Sequence, residues 1–209
     1  MNQYAKNEIE ALFTLAHECA RRGWVPATAG NFSIADSSRN ILISRSGVDK
    51  GALGIEDLVD LDREGTLRSG SQEKPSAESA LHVAIYSKRP QSRAIAHVHT
   101  VWNTLLSARC AAAGHVAIEG YELLKALSGV ETHRHCERVP VIANAQDYRV
   151  LAEELRTALD EHPLAHGVLL SGHGLYTWGS SVAEARRHLE ALEFLFEVEC
   201  RRRMSWPQP

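Results

Sequence analysis

Long apolar runs are missing from this 209-residue chain: none approaches the roughly 18 residues a membrane span needs. Met1 to Gly23 starts polar and has the spacing of an amphipathic helix, unlike a signal peptide. Excess charge of one sign is missing too. Lys and Arg number 23 against 26 Asp and Glu, a net charge of −3, so no global basic character points to nucleic acid or an acidic membrane. The one local basic run, Arg201-Arg202-Arg203, reads as a solvated helix end favoured by the helix dipole. Cysteine is scarce: Cys19, Cys110, Cys136 and Cys200 form no Cys-x-x-Cys pair, and reduced thiols in a cytoplasmic protein are expected. Cys19 and Cys200 fall in helical patterns and are expected in the core. Repeats, low-complexity tracts and linkers are absent, so a single domain over residues 1–209 is expected. No Gly-x-Gly-x-x-Gly follows a strand, which removes support for a dinucleotide-binding fold.

What is present is ordinary globular patterning, 44% hydrophobic and 23% charged. Ile9, Leu12, Phe13, Ala16, Cys19 and Ala20 keep to one face of a helix that runs to Gly23. Asn31 to Ala35, a polar turn, and Ile41 to Ile43 read as a hairpin, and Leu58 to Asp62 with Thr66 to Arg68 repeats the pattern. Helices are expected over Ala77 to Lys88, after Thr100, over Glu122 to Leu127, over Asp147 to Leu159, and over the last stretch through Phe196. Between them lie strands at Arg93 to Ala96, Val116 to Ile118, Val139 to Ile142, Gly167 to Leu170 and Leu175 to Trp178. Early hairpins mixed with several helices imply an α/β protein: a mixed, mostly antiparallel sheet with helices on both faces.

His97-Val98-His99 closes one of those strands. Residues i and i+2 of a strand face the same side, so the two imidazoles project together, half of a transition-metal site. His173, framed by Gly172 and Gly174 between two strands, is a candidate third ligand. The alternative is two strand-end histidines bonded to backbone and a turn histidine. A second pair, His133-Arg134-His135, has charged neighbours and no strand periodicity, and reads as a surface loop. His82, one turn after Glu78, reads as packed or surface; His17, His115, His162, His166 and His188 have no supporting constellation. Glu78 and Glu122 each open a helical segment, either as ordinary first-turn carboxylates or as acid/base groups. Thr28-Ala29-Gly30-Asn31-Phe32-Ser33 and Ser44-Arg45-Ser46-Gly47 offer backbone N–H groups and hydroxyls suited to an anion, as does Ser76 at a helix start.

In this order, Gly30-Asn31-Phe32-Ser33, Ser46-Gly47, Pro75-Ser76-Ala77-Glu78, His97-x-His99 and His173-Gly174 resemble the motifs of the class II aldolase family of zinc-dependent sugar-phosphate enzymes, over nearly the whole chain. The segments Gly120-Tyr121-Glu122-Leu123-Leu124-Lys125, Gly129 to His133, Asn144 to Asp147 and Gly172 to Gly179 look most like the dehydratases of that family. The resemblance implies a three-layer α/β/α fold, a homotetramer, and one zinc ion per subunit on His97, His99 and His173. It implies Glu122 as the dehydratase acid/base, with Glu78 where the aldolases keep theirs. Phosphate is expected among Gly30, Asn31, Ser44, Ser46, Gly47 and Ser76, and burial near Leu123 and Leu124 is expected to raise the Glu122 pKa. The implied reaction is dehydration of a methylthio-substituted ketopentose phosphate. The rivals are cleavage or epimerisation of a fuculose- or ribulose-type phosphate, and a non-catalytic module like the adducin head. One departure stands out: Ala77 replaces the second serine of the aldolase pattern, removing a hydroxyl.

Overall fold

A computed structural model of the chain describes residues 4–68 and 75–205. Among the described residues the α-helices are α1 (Lys6–Arg21), α2 (Ser79–Lys88), α3 (Val101–Cys110), α4 (Tyr148–Glu161) and α5 (Val182–Ser205). The strands are β1 (Asn31–Ala35), β2 (Ile41–Ser44), β3 (Leu58–Leu61), β4 (Ala94–Val98), β5 (His115–Ile118), β6 (Glu137–Ile142), β7 (Gly167–Leu170) and β8 (Gly174–Gly179). They form one eight-stranded sheet in the order β3-β2-β1-β4-β8-β7-β6-β5. Every neighbouring pair is antiparallel except β6 and β7, which run parallel and are joined through α4.

Alternation along the strands decides which helices cover which face. Ala94, Ala96 and Val98 of β4 join a core with Leu12 and Leu15 of α1, Leu106 of α3 and Leu189 and Leu192 of α5. Ile95, one residue out of phase, joins a second core with Leu81 and Ile85 of α2 and Leu151 and Leu155 of α4. The sheet is therefore the middle layer of three, and β4 lies beside β1 and β8 near its centre. His97 shares the phase of Ile95 and so faces α2 and α4.

Two segments differ from the sequence expectation. The second hairpin keeps only its first arm as a strand; its return contributes a single bridge, Leu61 to Leu67. The segment expected as a helix over Glu122 to Leu127 is a 3₁₀ turn, Glu122–Ala126. It lies between Gly120 (φ 85°) and Gly129 (φ 76°), both left-handed, so a helix can extend past neither, and short segments of this kind take 3₁₀ geometry.

Candidate active site

Two glycines bring the chain close around the end of β4. A Cβ on Gly174 would lie 2.5 Å from the Val98 carbonyl oxygen and 2.9 Å from ring atoms of both His97 and His99. A Cβ on Gly30 (φ 73°) would lie 2.5 Å from the His97 carbonyl oxygen. Only residues without a side chain permit this approach. His97 is fully buried, stacked on the Tyr176 ring at 3.8 Å and 9°. Its Nδ1–H donates to the Leu175 carbonyl at 2.9 Å, which leaves Nε2 as a lone-pair donor. The His99 N–H donates to the Trp24 carbonyl at 2.8 Å, fixing the backbone beyond the strand end. His173 stands in the β7–β8 turn, its Nδ1 3.2 Å from Asn144 Oδ1.

The three Nε2 atoms converge: His97 to His99 is 2.8 Å and His99 to His173 is 3.1 Å. Glu78, at the N-cap of α2, places Oε1 3.3 Å from His173 Nε2 and Oε2 3.7 Å from His97 Nε2. All four ligand atoms lie within 4.8 Å of one another, the one such group of three or more among the described residues. Burial holds the His97 imidazole well below its ordinary pKa, and burial, then the neighbouring His173 imidazole, lowers His99 to about 4. Both rings are therefore neutral ligands at pH 7. Burial pushes the Glu78 carboxyl up, but the contacts with His173 and His97 and the hydrogen bond from Asn31 outweigh it, and the group falls to about 2. Inward lone pairs on neutral rings beside an ionised carboxylate are the donor set of a divalent transition metal, and the residues present fit one.

A chain of hydrogen bonds fixes the Glu78 carboxylate from behind. Asn31 Nδ2 donates to Glu78 Oε2 at 2.5 Å, so Asn31 Oδ1 is left to accept from His82 Nε2–H. His82 Nδ1 then accepts from Ser33 Oγ at 2.7 Å, and Ser33 Oγ accepts from the Tyr86 hydroxyl at 2.9 Å. Burial depresses the His82 imidazole to about 3, which keeps it neutral and the chain in this single sense. Asn31, expected as a phosphate donor, thus spends its side chain on Glu78.

Beside the histidines opens a cavity of about 190 Å³. Gly30, Asn31, Ser46, Gly47, Ser76 and Glu78 line it, with Ala77 in the place of the missing hydroxyl. Ser44 does not: it is fully buried, and its Oγ accepts the Phe32 N–H at 3.1 Å, because strand alternation turns it inward. Sequence reasoning missed Arg45 and Tyr148 on the same wall. Arg45 pairs with Asp57 at 2.9 Å; its signal was its place inside the Ser44–Gly47 loop. Tyr148 has its hydroxyl pKa raised by burial and then by Glu78, a contact 70 residues away in sequence that no local pattern announces.

Glu122 does not join this group. Its side chain is 70% exposed and pairs with Lys125 Nζ at 2.5 Å and His133 Nδ1 at 3.3 Å. The hydrogen bond from Lys125 lowers its pKa, so the expected rise by burial is corrected: Leu124 is buried, but Leu123 beside it is exposed. The His133-x-His135 pair lies outside the metal group, as its charged neighbours imply. His166 and His188, which had no constellation in the sequence, have one in space. His166 Nδ1 meets both Glu137 carboxylate oxygens at 3.1 and 3.2 Å, and its Nε2 donates to the Ser128 carbonyl at 2.8 Å. His188 Nδ1 donates to the Trp178 carbonyl at 2.7 Å, and its Nε2 accepts the Ser128 N–H at 3.1 Å.

The family model "Class II Aldolase and Adducin N-terminal domain" matches residues 10–200. A methylthioribulose-1-phosphate dehydratase of Sorangium cellulosum is 46% identical over 186 residues, covering 89% of this chain and 88% of the relative. The protein of the same name from Yersinia enterocolitica is 42% identical over 197 residues, covering 94% of this chain and 93% of the relative. Among solved structures, an L-fuculose-1-phosphate aldolase from Thermus thermophilus superposes with a TM-score of 0.75 at 26% identity, over 95% of this chain and 96% of that one. By its motifs, its three-layer sheet and these matches, the chain belongs to the class II aldolase and adducin N-terminal domain family.

Proposed function

We propose that this chain removes water from 5-(methylthio)ribulose 1-phosphate to give 5-(methylthio)-2,3-dioxopentyl phosphate, a hydro-lyase step of methionine salvage. The observation that carries the reading is a three-histidine, one-carboxylate group beside a small polar cavity, in a chain 46% identical to a dehydratase with that substrate in its name. His97, His99 and His173 would hold a zinc ion, which when bound would supply Lewis acidity toward the C2 carbonyl and so acidify the adjacent C3 proton.

The chain's own groups do the rest. The phosphate is held by the backbone N–H groups of Gly30 and Gly47 and the hydroxyls of Ser46 and Ser76, which orients C3 toward Glu78. Glu78, ionised and held by Asn31, takes the C3 proton. Glu122 protonates the C4 hydroxyl, which leaves as water, and the enol ketonises to the diketone. Exposed as it is in its own chain, Glu122 acts at the site of a neighbouring copy in a homotetramer, whose surface covers it and raises its pKa toward that of an acid. Residues 1–209 form one catalytic domain, working in the cytoplasm, where the four unpaired cysteines stay reduced.

The aldolase reading draws on one specific observation, the carboxylate of Glu78 at the metal group. Incubating the metal-loaded protein with methylthioribulose 1-phosphate and, separately, with fuculose 1-phosphate distinguishes the two. Diketone from the first and no carbon–carbon cleavage of the second is the expected result. Cleavage of the second without turnover of the first replaces the dehydratase by an aldolase, and inactivity toward both refutes the dehydratase and the aldolase alike.

A further inference from the structure

Lys50 is 1% exposed, the largest charged side chain in the core. Its ammonium donates to two backbone carbonyls, Thr28 at 3.0 Å and Val48 at 2.9 Å. Thr28 begins one wall of the cavity, and Val48 directly follows Ser46 and Gly47 on the other. One buried cation thus ties the two loops together from behind. The first loop needs such a tie. Ala27 (φ 51°) and Thr28 (φ 64°) are consecutive left-handed residues with side chains, a conformation that persists only where neighbours hold it.

Among the described residues, the hydrogen-bond partners of Lys50 include no carboxylate. Asp49, which precedes Lys50, accepts the Gly51 N–H at 2.8 Å; Asp57 is paired with Arg45; Glu78 is bound by Asn31. Carbonyl dipoles solvate the ammonium, the Glu78, Asp49 and Asp57 carboxylates attract it from beyond hydrogen-bond range, and its field reaches His99 in the site. A buried charge is costly unless something answers it. A dianion in the adjoining cavity would do so.

We propose that Lys50 is a positioning residue for phosphate: through the Thr28 and Val48 carbonyls it sets the spacing of the two anion-binding loops, and its positive charge behind them favours a dianion between them. This rests on the reading that the cavity takes the substrate's phosphate. Inorganic phosphate is the probe, measured by calorimetry on the metal-loaded protein, with steady-state kinetics alongside. Lys50→Met, which keeps the length and removes the charge, is expected to weaken phosphate binding and raise KM about tenfold or more, with kcat and metal content little changed. Lys50→Gln, which keeps one donor to the carbonyls, is expected to fall between.

Equal phosphate affinity in wild type and both variants overturns the proposal, as does a fall in kcat with KM unchanged. Absence of phosphate binding to the wild type overturns the phosphate seat itself, and this inference with it. If neither variant folds, the wild type labelled with ¹⁵N-lysine decides. The Lys50 ammonium resonance must move on phosphate titration with the calorimetric Kd, and a resonance that stays still refutes the role.

Discussion

Glu193 of α5 is buried, yet among the described residues it has no salt bridge. Its carboxyl oxygens accept from Thr100 Oγ1 at 2.6 Å and Asn103 Nδ2 at 2.8 Å, the two residues that cap α3 directly after His99. Burial pushes its pKa from 4.5 up to about 7, despite both hydrogen bonds. The folded chain therefore binds more protons than the unfolded one between those values, so stability is full below the lower and is lost as pH rises through the upper. Glu193→Gln keeps an acceptor and removes the titration. Its melting temperature should match wild type at pH 5 and exceed it at pH 8, by an amount worth about 1–3 kcal/mol. Parallel melting curves for the two proteins across that range would refute the assignment. His166 has the same sign for a different cause: burial lowers its pKa, but Glu137 more than reverses this, both ring nitrogens meet acceptors as a charged imidazole requires, and its contribution to stability is likewise lost as pH rises. Neither environment is visible in a linear chain, because Glu193 and Thr100 are 93 residues apart and His166 and Ser128 are 38 apart.

β4 does at the level of an element what its sequence announces. The His97-x-His99 spacing alone puts both rings on one side, and the apolar run before it places them at a strand end. The closeness of the third histidine depends on β8 lying against β4, in a register that sets His97 opposite Tyr176 and Val98 opposite Leu175. Gly174→Ala tests that contact. Its methyl would meet the Val98 carbonyl and both rings, so we expect destabilisation of about 1–3 kcal/mol together with a fall in bound metal. A variant that melts as wild type and carries a full metal complement would show the close approach to be dispensable. The turn bearing Glu122 was the least legible element. Its helical composition is real, but left-handed glycines flank it on both sides at 120 and 129, and it forms one short 3₁₀ segment.

For the molecule as a whole, the exposed apolar residues matter most. Val101 and Leu105 of α3, Phe194 of α5 and Leu123 beside Glu122 are all more than one-third exposed. The proposed assembly puts Glu122 of one copy at the metal group of another, and subunit mixing reads this directly. His97→Ala removes a ligand and Glu122→Gln removes the acid, so each alone should lose most turnover. Co-refolded, they should regain activity, because an intact metal group from one chain can meet an intact Glu122 from the other. No recovery would place Glu122 in its own chain's chemistry or outside it, and full turnover by Glu122→Gln would remove it from the mechanism.

The periodicities of the chain determined most of its helices and strands, the paired projection of His97 and His99, and the small-residue loops that line the cavity. These are short-range properties: side-chain direction in a strand or helix follows from spacing alone. The tertiary structure alone decided which side chains share a site. It brought His173 and Glu78 to the pair, turned Ser44 inward, spent the Asn31 side chain on Glu78, buried Lys50 behind both anion loops and left Glu122 in solvent. Each of these depends on strand register and on which helix covers which face. Those are set by the joint packing of two cores, which no local window of sequence contains.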